Sequence, residues 1–295
     1  MSPSRARTPA KGTVALALGG GGARGLAHIV ALEVLDDLGV RPAAIVGTSM
    51  GAIVGAAYAA GVSGQDLRKH ALDRLKDRAK AMALLLQARV GRITDIFSRG
   101  LGANPVLLDG EKVLDLFWPE AVPDLFSDLA IPFSAVATDY TARVQTVFDT
   151  GPLVTGVGAS MAIPGLIRPV LAGGHVYVDG GVVNPLPFDL LAGQADIVVA
   201  VDVAGGAHAA ETSQAPGAFE AMLGSAQIMQ GAIVAEKLKA TQPDILVRPA
   251  VGGFRALDFF RARQILQAAE ASREGLKRDI AAAFEAVSAG RRKTT

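Results

Sequence analysis

Ser49 lies in a short pattern that could make its hydroxyl a nucleophile. The pattern reads G-x-S-x-G and comprises Gly47, Thr48, Ser49, Met50 and Gly51. An apolar run suited to a strand, 43–46, precedes it, and a helix of small residues is predicted over 50–60. A sharp strand-to-helix turn holds such a serine in a strained, accessible conformation, and the glycines permit close packing. We therefore predict a nucleophile elbow whose serine attacks a carbonyl carbon, with the helix N-terminus favouring the negative charge that develops.

A glycine-rich turn after the first predicted strand, 14–18, is the second candidate for chemistry. It comprises Gly20, Gly21, Gly22, Ala23, Arg24 and Gly25. Its spacing fits a dinucleotide-binding fingerprint, but the serine pattern occupies the place of the acidic residue expected after the second strand. The backbone N–H groups of such a turn can instead stabilise an oxyanion, provided that the first two strands are neighbours. We expect Arg24 to hydrogen-bond carbonyls of the loop or to attract a phosphate head group.

Asp179 is the candidate base that would accept the serine proton. It follows a short predicted strand, 176–178, and precedes Gly180 and Gly181, and strand ends in open sheets gather at the site. From position alone it is equally a turn-former or a cap. Other aspartates also follow predicted strands: Asp139, Asp149 and Asp202. An unperturbed aspartate, with a pKa of about 3.9, is a weak base, and burial would have to raise that pKa.

Histidine is the usual alternative base, and the sequence contains His28, His70, His175 and His208. His28 lies about one turn into the first predicted helix, from where it could approach the glycine-rich turn. His175 precedes Asp179 by four residues, roughly 13 Å along an extended strand, which prevents contact. The sequence has no cysteine and no H-E-x-x-H-type pattern. We expect no metal site and no cofactor.

An open α/β sheet is predicted to position these residues, because strand, turn and helix alternate from the start of the chain. Further strands are predicted over 132–138, 144–148, 170–171, 176–178, 197–203 and 245–247. Helices are predicted over 26–38, 65–88, 111–118, 218–239 and 257–286.

Composition narrows the class of protein. Of 295 residues half are apolar and 19% are charged, which is typical of a globular protein. The net charge of +1 and the lack of a central basic stripe argue against nucleic acid as a partner. The uncharged stretch 42–65 contains glycines suited to a turn, and prolines interrupt 150–167, so neither is interpreted as a membrane span. We expect a cytoplasmic protein, with its basic ends offering weak, transient attraction to a membrane surface.

Three ordered motifs resemble those of patatin-like phospholipases: the glycine-rich turn, the serine pattern, and Asp179-Gly180-Gly181. The stretches 160–165 (SMAIPG) and 178–187 (VDGGVVNPLP) are similar to bacterial members, and the likeness runs from about residue 14 to 203. The resemblance implies a Ser49–Asp179 dyad without histidine and a patatin-type three-layer α/β/α fold with a mostly parallel central sheet. It also implies hydrolysis of acyl esters such as phospholipids or lysophospholipids, without calcium.

The expected organisation is a disordered leader over 1–12, a patatin-like catalytic domain over 13–205, a helical region over 206–288 packed on it, and a basic tail over 289–295. The expected function is that of a serine acyl-ester hydrolase of the phospholipase A, lysophospholipase or esterase type. Two alternatives stay open. One is a nucleotide- or dinucleotide-binding protein that uses the glycine-rich turn, and the other is a weakly active, lipid-binding regulatory protein. The acyl chain, the head group and the oligomeric state are not predicted.

Overall fold

The computed structural model describes residues 12–79, 83, 89–90, 107–204 and 215–293. In this part of the chain eight strands form one sheet and two short strands pair separately. The strands are β1 Val14–Leu18, β2 Ala44–Thr48, β3 Arg89–Val90, β4 Leu107–Leu108, β5 Phe133–Asp139, β6 Val144–Phe148, β7 Val170–Ala172, β8 His175–Asp179, β9 Ile197–Val201 and β10 Ile245–Val247. The sheet order is β10-β9-β1-β2-β5-β8-β7, with β6 also paired to β5.

The helices connect these strands and cover the sheet. They are α1 His28–Asp37, α2 Met50–Ala59, α3 Gly64–Leu75, α4 Gly110–Phe117, α5 Leu153–Ser160, α6 Ala218–Ala240, α7 Ala262–Ala269 and α8 Arg273–Lys293. The helix predicted over 26–38 begins as a tight 3₁₀ turn, Gly22–Ala27, before α1. The single helix predicted over 257–286 is wrong, because a 3₁₀ turn at Glu270–Ser272 separates α7 from α8.

Some predicted segments lie partly or wholly outside the described residues. These are residues 1–11 of the leader predicted over 1–12, most of the predicted helix beyond residue 79, and His208. The basic tail predicted over 289–295 overlaps α8, which includes residues up to Lys293. The C-terminal region adds a strand as well as helices, since β10 pairs in parallel with β9.

Alternating side chains of β1 enter two separate cores, as a strand buried on both faces requires. Leu16 and Leu18 pack in the larger core, which also contains buried side chains of α1, α2, α3, α7 and α8. Ala15 and Ala17 face a second core, which includes Val234 of α6. The sheet therefore lies between two helical layers, and the predicted α/β fold is confirmed.

Pairing along β5 brings two distant strand ends together. One edge of β5 pairs with β2, where Thr48 is opposite Val136, and the opposite edge pairs with β6. The next residue of β5, Ala137, is opposite Asp179 of antiparallel β8. β6 pairs with the other edge of β5 along residues 135–139. β8 must therefore pair with the same edge of β5 as β2 does, just beyond the point where β2 ends. The carboxyl ends of β2 and β8 consequently meet, which positions Asp179 beside the residue after Thr48.

Candidate active site

Ser49 forms a strained turn between β2 and α2. Its backbone has φ 55° and ψ −121°, outside the regions that a residue with a side chain favours. A Cβ atom at Gly47 would lie 2.5 Å from the Gly51 carbonyl oxygen, and one at Gly51 would lie 2.1 Å from the Leu18 carbonyl oxygen. Both glycines are therefore required by close backbone approach, as the predicted elbow needs.

The Ser49 hydroxyl donates a hydrogen bond to Asp179 Oδ2 at 2.7 Å. Both residues are buried, with exposures of 6% and 5%. The alternative aspartates lie elsewhere: Asp139 pairs with His175, Asp202 pairs with Arg248, and Asp149 is exposed. Of the aspartates considered from the sequence, Asp179 is the one that contacts the Ser49 hydroxyl.

Asp179 is fixed through its backbone and through both carboxylate oxygens. Its other oxygen, Oδ1, accepts a hydrogen bond from the Gly181 N–H at 2.7 Å. Its backbone N–H donates to the Ala162 carbonyl at 3.0 Å, and its carbonyl accepts from the Thr138 hydroxyl at 2.9 Å. Burial raises the pKa of Asp179 to about 6, although the hydrogen bonds from Ser49 and Gly181 favour the charged form. A carboxylate with this pKa is a much better proton acceptor than an exposed aspartate.

The glycine-rich turn lies directly beside the elbow, as the adjacency of β1 and β2 predicts. A Cβ atom at Gly20 would lie 3.4 Å from that of Ser49. The Gly20 N–H donates to the Pro185 carbonyl at 2.9 Å, and the Ala23 N–H donates to the Ala256 carbonyl at 2.7 Å. Gly20 and Ala23 both belong to the turn predicted to stabilise an oxyanion, but their N–H groups already donate to these carbonyls and are not free for that role.

Two backbone N–H groups of the glycine-rich turn remain as candidate oxyanion donors, fewer than the sequence suggested. The N–H groups of Gly21 and Gly22 donate to no described residue, whereas Arg24 and Gly25 lie inside the 3₁₀ turn. Gly22 also has φ 57°, and a Cβ atom there would lie 2.3 Å from the Ala256 carbonyl oxygen. The Met50 N–H, first in α2, has no partner among the described residues either, and the residue after the serine supplies an oxyanion donor in related elbows.

Two cavities open at the serine. The larger, of about 270 Å³, is bounded mainly by aliphatic and aromatic side chains of α4, the loop after α5 and the segment before α7. The smaller, of about 140 Å³, lies between the glycine-rich turn and α6. Residues that line both are Gly22, Ser49, Ile163 and Ala256. An apolar chain in one cavity and a second group in the other could therefore both lie next to Ser49.

The model of the family described as "Patatin: Patatin-like phospholipase" matches residues 16–192, more than half of the chain. The chain belongs to the patatin-like phospholipase family. An uncharacterized NTE family protein of Mycobacterium tuberculosis is 39% identical over 202 residues, covering 68% of this chain and 52% of that protein. Human patatin-like phospholipase domain-containing protein 6 is 33% identical over 201 residues, covering 67% of this chain and 14% of that protein.

The chain thus spans about half the length of its mycobacterial relative and a small part of the human one. Among solved structures, VipD from Legionella pneumophila superposes with a TM-score of 0.47 and 15% identity, over 91% of this chain and 67% of that chain. In the described part of the patatin-like chain, no helix is both long and apolar enough to cross a bilayer.

Arg24 is held beneath the glycine-rich turn of this patatin-like site. Its Nε donates to the Gly21 carbonyl at 3.4 Å, and the residue is only 3% exposed. Burial lowers the pKa of the Arg24 guanidinium, and the charge of Asp202 partly offsets that effect. The side chain lines neither cavity at the serine. These contacts favour the role of holding the loop over that of attracting a phosphate head group.

Neither candidate histidine reaches the serine. His28 Nε2 lies 2.8 Å from the Gly19 carbonyl oxygen, and its ring is completely buried. Burial lowers the pKa of His28 to about 4, so the ring is neutral near pH 7 and donates through Nε2 to that carbonyl. His175 Nδ1 lies 2.6 Å from Asp139 Oδ2, at the opposite end of β8 from Asp179.

Two positioning contacts were missed by sequence reasoning. The Ser49 N–H donates to the hydroxyl oxygen of Ser160, the fully buried last residue of α5, at 2.9 Å. The Thr48 hydroxyl donates to the Asn184 carbonyl at 2.9 Å. Ser160 and Asn184 both lie in stretches similar to the family, which was the available signal. Their contacts with the elbow span more than a hundred residues and could not be derived from spacing.

Proposed function

We propose that this chain hydrolyses acyl esters of lipids, with Ser49 as nucleophile and Asp179 as general base. The observation that carries the proposal is the 2.7 Å hydrogen bond between the two side chains at the strained elbow. Membership of the patatin-like phospholipase family supports a lipid ester as substrate. The predicted cytoplasmic location and membrane-surface contact stay predictions.

The reaction would proceed in two halves. Asp179 accepts the Ser49 proton as the serine oxygen bonds to the acyl carbonyl carbon, and the carbonyl oxygen becomes an oxyanion. The N–H groups of Gly21, Gly22 and Met50 are the donors proposed to stabilise it. The C–O bond to the alcohol then breaks, and Asp179 returns the proton to the leaving oxygen. In the second half water attacks the acyl-enzyme, gives its proton to Asp179, and releases the fatty acid as Ser49 recovers that proton.

Hydrolysis of a p-nitrophenyl acyl ester by the wild type and by Ser49→Ala tests this assignment. We expect the variant to lose at least about a thousandfold in kcat/KM, because no other side chain replaces the attacking oxygen. The melting temperature should not fall, since alanine retains the fold but removes one hydroxyl. A folded Ser49→Ala protein with unchanged activity would contradict the proposal. Slow turnover with tight fatty-acid retention in the wild type would instead favour the lipid-binding alternative.

A further inference from the structure

The smaller cavity at the serine is bounded on one side by α6. The α6 residues that line it are Met222, Leu223, Ala226, Gln227 and Gln230. Of these, only the two glutamines carry polar side chains. The opposite wall contains the glycine-rich turn, Ser49 and Asp179. A group in this cavity would therefore contact both the reacting hydroxyl and the glutamine side of α6.

Within the described part of the chain, the side-chain amides of Gln227 and Gln230 form no hydrogen bond. Both line the cavity, where they could bind a ligand. Gln230 Nε2 lies close to Gly181, since a Cβ atom there would be 2.6 Å from it. Gly181 in turn donates its N–H to Asp179. Each amide offers two donors and one acceptor without a net charge, which suits hydroxyl groups.

No described residue lining either cavity is a lysine, an arginine or a histidine. The sequence from 169 to 236, which includes Asp179 and most of α6, contains no lysine or arginine. Arg255, next to Ala256, lies 3.3 Å from Glu220 of α6 in an ion pair. Phosphate groups are normally bound by arginine, lysine or several backbone N–H groups. A phosphate placed here would instead face the Asp179 carboxylate, which is unfavourable.

We propose that the larger cavity holds the acyl chain and that the smaller one is an alcohol subsite for a small, uncharged, hydroxyl-bearing leaving group. This inference rests on the proposed function. The simplest lipid of that class is a monoacylglycerol. The smaller cavity has about half the volume of the larger one, which favours a leaving group shorter than the acyl chain. Gln227 and Gln230 would bind its free hydroxyls.

The test compares three esters of decanoic acid: 1-monodecanoylglycerol, 1-decanoyl-glycerol-3-phosphate and p-nitrophenyl decanoate. The first two differ by one phosphate, and the third needs no polyol subsite. We expect the wild type to hydrolyse the monoacylglycerol with a kcat/KM at least about tenfold above that of its phosphorylated counterpart, the equivalent of about 1.4 kcal/mol. Equal values for the two glycerol esters, or a preference for the phosphate, would overturn the inference.

Variants at Gln230 connect that preference to the cavity. Gln230→Leu should lower the ratio of kcat/KM for monodecanoylglycerol to that for p-nitrophenyl decanoate by about tenfold, because a hydroxyl loses its partner. Gln230→Lys should raise the relative activity on the phosphorylated ester. Gln267→Lys, at an exposed position of α7, is the matched control and should leave both ratios unchanged. Unchanged ratios in both Gln230 variants would contradict the subsite, whereas a wild type inactive on all three esters would contradict the proposed function itself.

Discussion

At the residue scale, Asp179 combines burial with a hydrogen bond to the group it would deprotonate. Burial disfavours its charged form, while the bonds from Ser49 and Gly181 retain that form in position. The result is a carboxyl group whose pKa is raised to about 6. The proposed dyad without histidine would therefore function near neutral pH, because its base would be ionised there and still strong enough to accept a proton.

The activity should depend on pH through the ionisation of Asp179. Because Asp179 must be deprotonated to act as a base, kcat/KM should rise with pH through about 6 and level off above it. At pH 5 it should be about a tenth of the plateau. The same raised pKa means that the folded state binds this proton more tightly, so its contribution to stability falls as pH rises from about 4 to 6.

The pH profile of kcat/KM for a p-nitrophenyl ester, measured with the wild type and His28→Ala, checks this. His28, with its pKa lowered to about 4, should not contribute an inflection near pH 6. An inflection that disappears in His28→Ala would refute the dyad. A profile that stays flat down to pH 4 would also contradict the assignment of Asp179.

At the element scale, α5 supports the elbow through its last residue. The Ser49 N–H is buried and donates to the Ser160 hydroxyl. This bond fixes the backbone of a residue whose conformation is strained, so it should hold the hydroxyl in line with Asp179. The helix thus stabilises the backbone of the elbow, although Ser160 takes no direct part in the proposed chemistry.

Ser160→Ala should lower kcat by about tenfold or more, because the Ser49 backbone loses the hydrogen bond that fixes the position of its hydroxyl. KM should change little, because the cavities that bind the substrate are retained. The unpaired buried N–H should also lower the free energy of unfolding by about 1–3 kcal/mol. Steady-state kinetics and urea denaturation check both effects. Thr155→Ala, on the same helix and partly exposed, is the control and should change neither. A Ser160→Ala enzyme with wild-type kcat would show that this contact is not needed.

Most strands and helices could be predicted from the sequence, whereas the contact between the end of β2 and the end of β8 could not. The bounds of β1 and β10 follow from short apolar runs, and the glycines at 47 and 51 correctly indicated a sharp turn. The pairing of Ala137 with Asp179 depends on the register of β5 with three other strands, which one sequence does not encode locally. For the same reason Ala256, which occupies the Ala23 N–H from across the fold, could not be foreseen.

At the scale of the whole molecule, an ion-pair network connects the C-terminal helix to the first half of the chain. Glu33 of α1, 8% exposed, accepts hydrogen bonds from Arg68 of α3 at 2.6 and 2.7 Å and also from Arg273 of α8. Glu270 joins the same two arginines. The network holds together helices from distant parts of the sequence, on the face of the sheet that carries the larger core.

Glu33→Gln should lower the free energy of unfolding by about 2–3 kcal/mol, because it removes the charge that two partly buried guanidinium groups share. Urea denaturation measures the effect. The exposed pair of Asp73 and Lys76 supplies the control, since Asp73→Asn should have no measurable effect on stability. At low urea concentration the Glu33→Gln protein should retain the activity of the wild type, because Glu33 lines neither cavity at the serine. Equal stability of the Glu33→Gln and wild-type proteins would contradict a stabilising network.

Labelling with a fluorophosphonate, followed by measurement of the intact mass, tests whether Ser49 is an activated nucleophile with Asp179 as its base. We expect one adduct on the wild type, none on Ser49→Ala, and much slower labelling of Asp179→Asn, with all three proteins folded by circular dichroism. An unlabelled, folded wild type, or a Ser49→Ala protein labelled as fast as the wild type, would contradict this assignment.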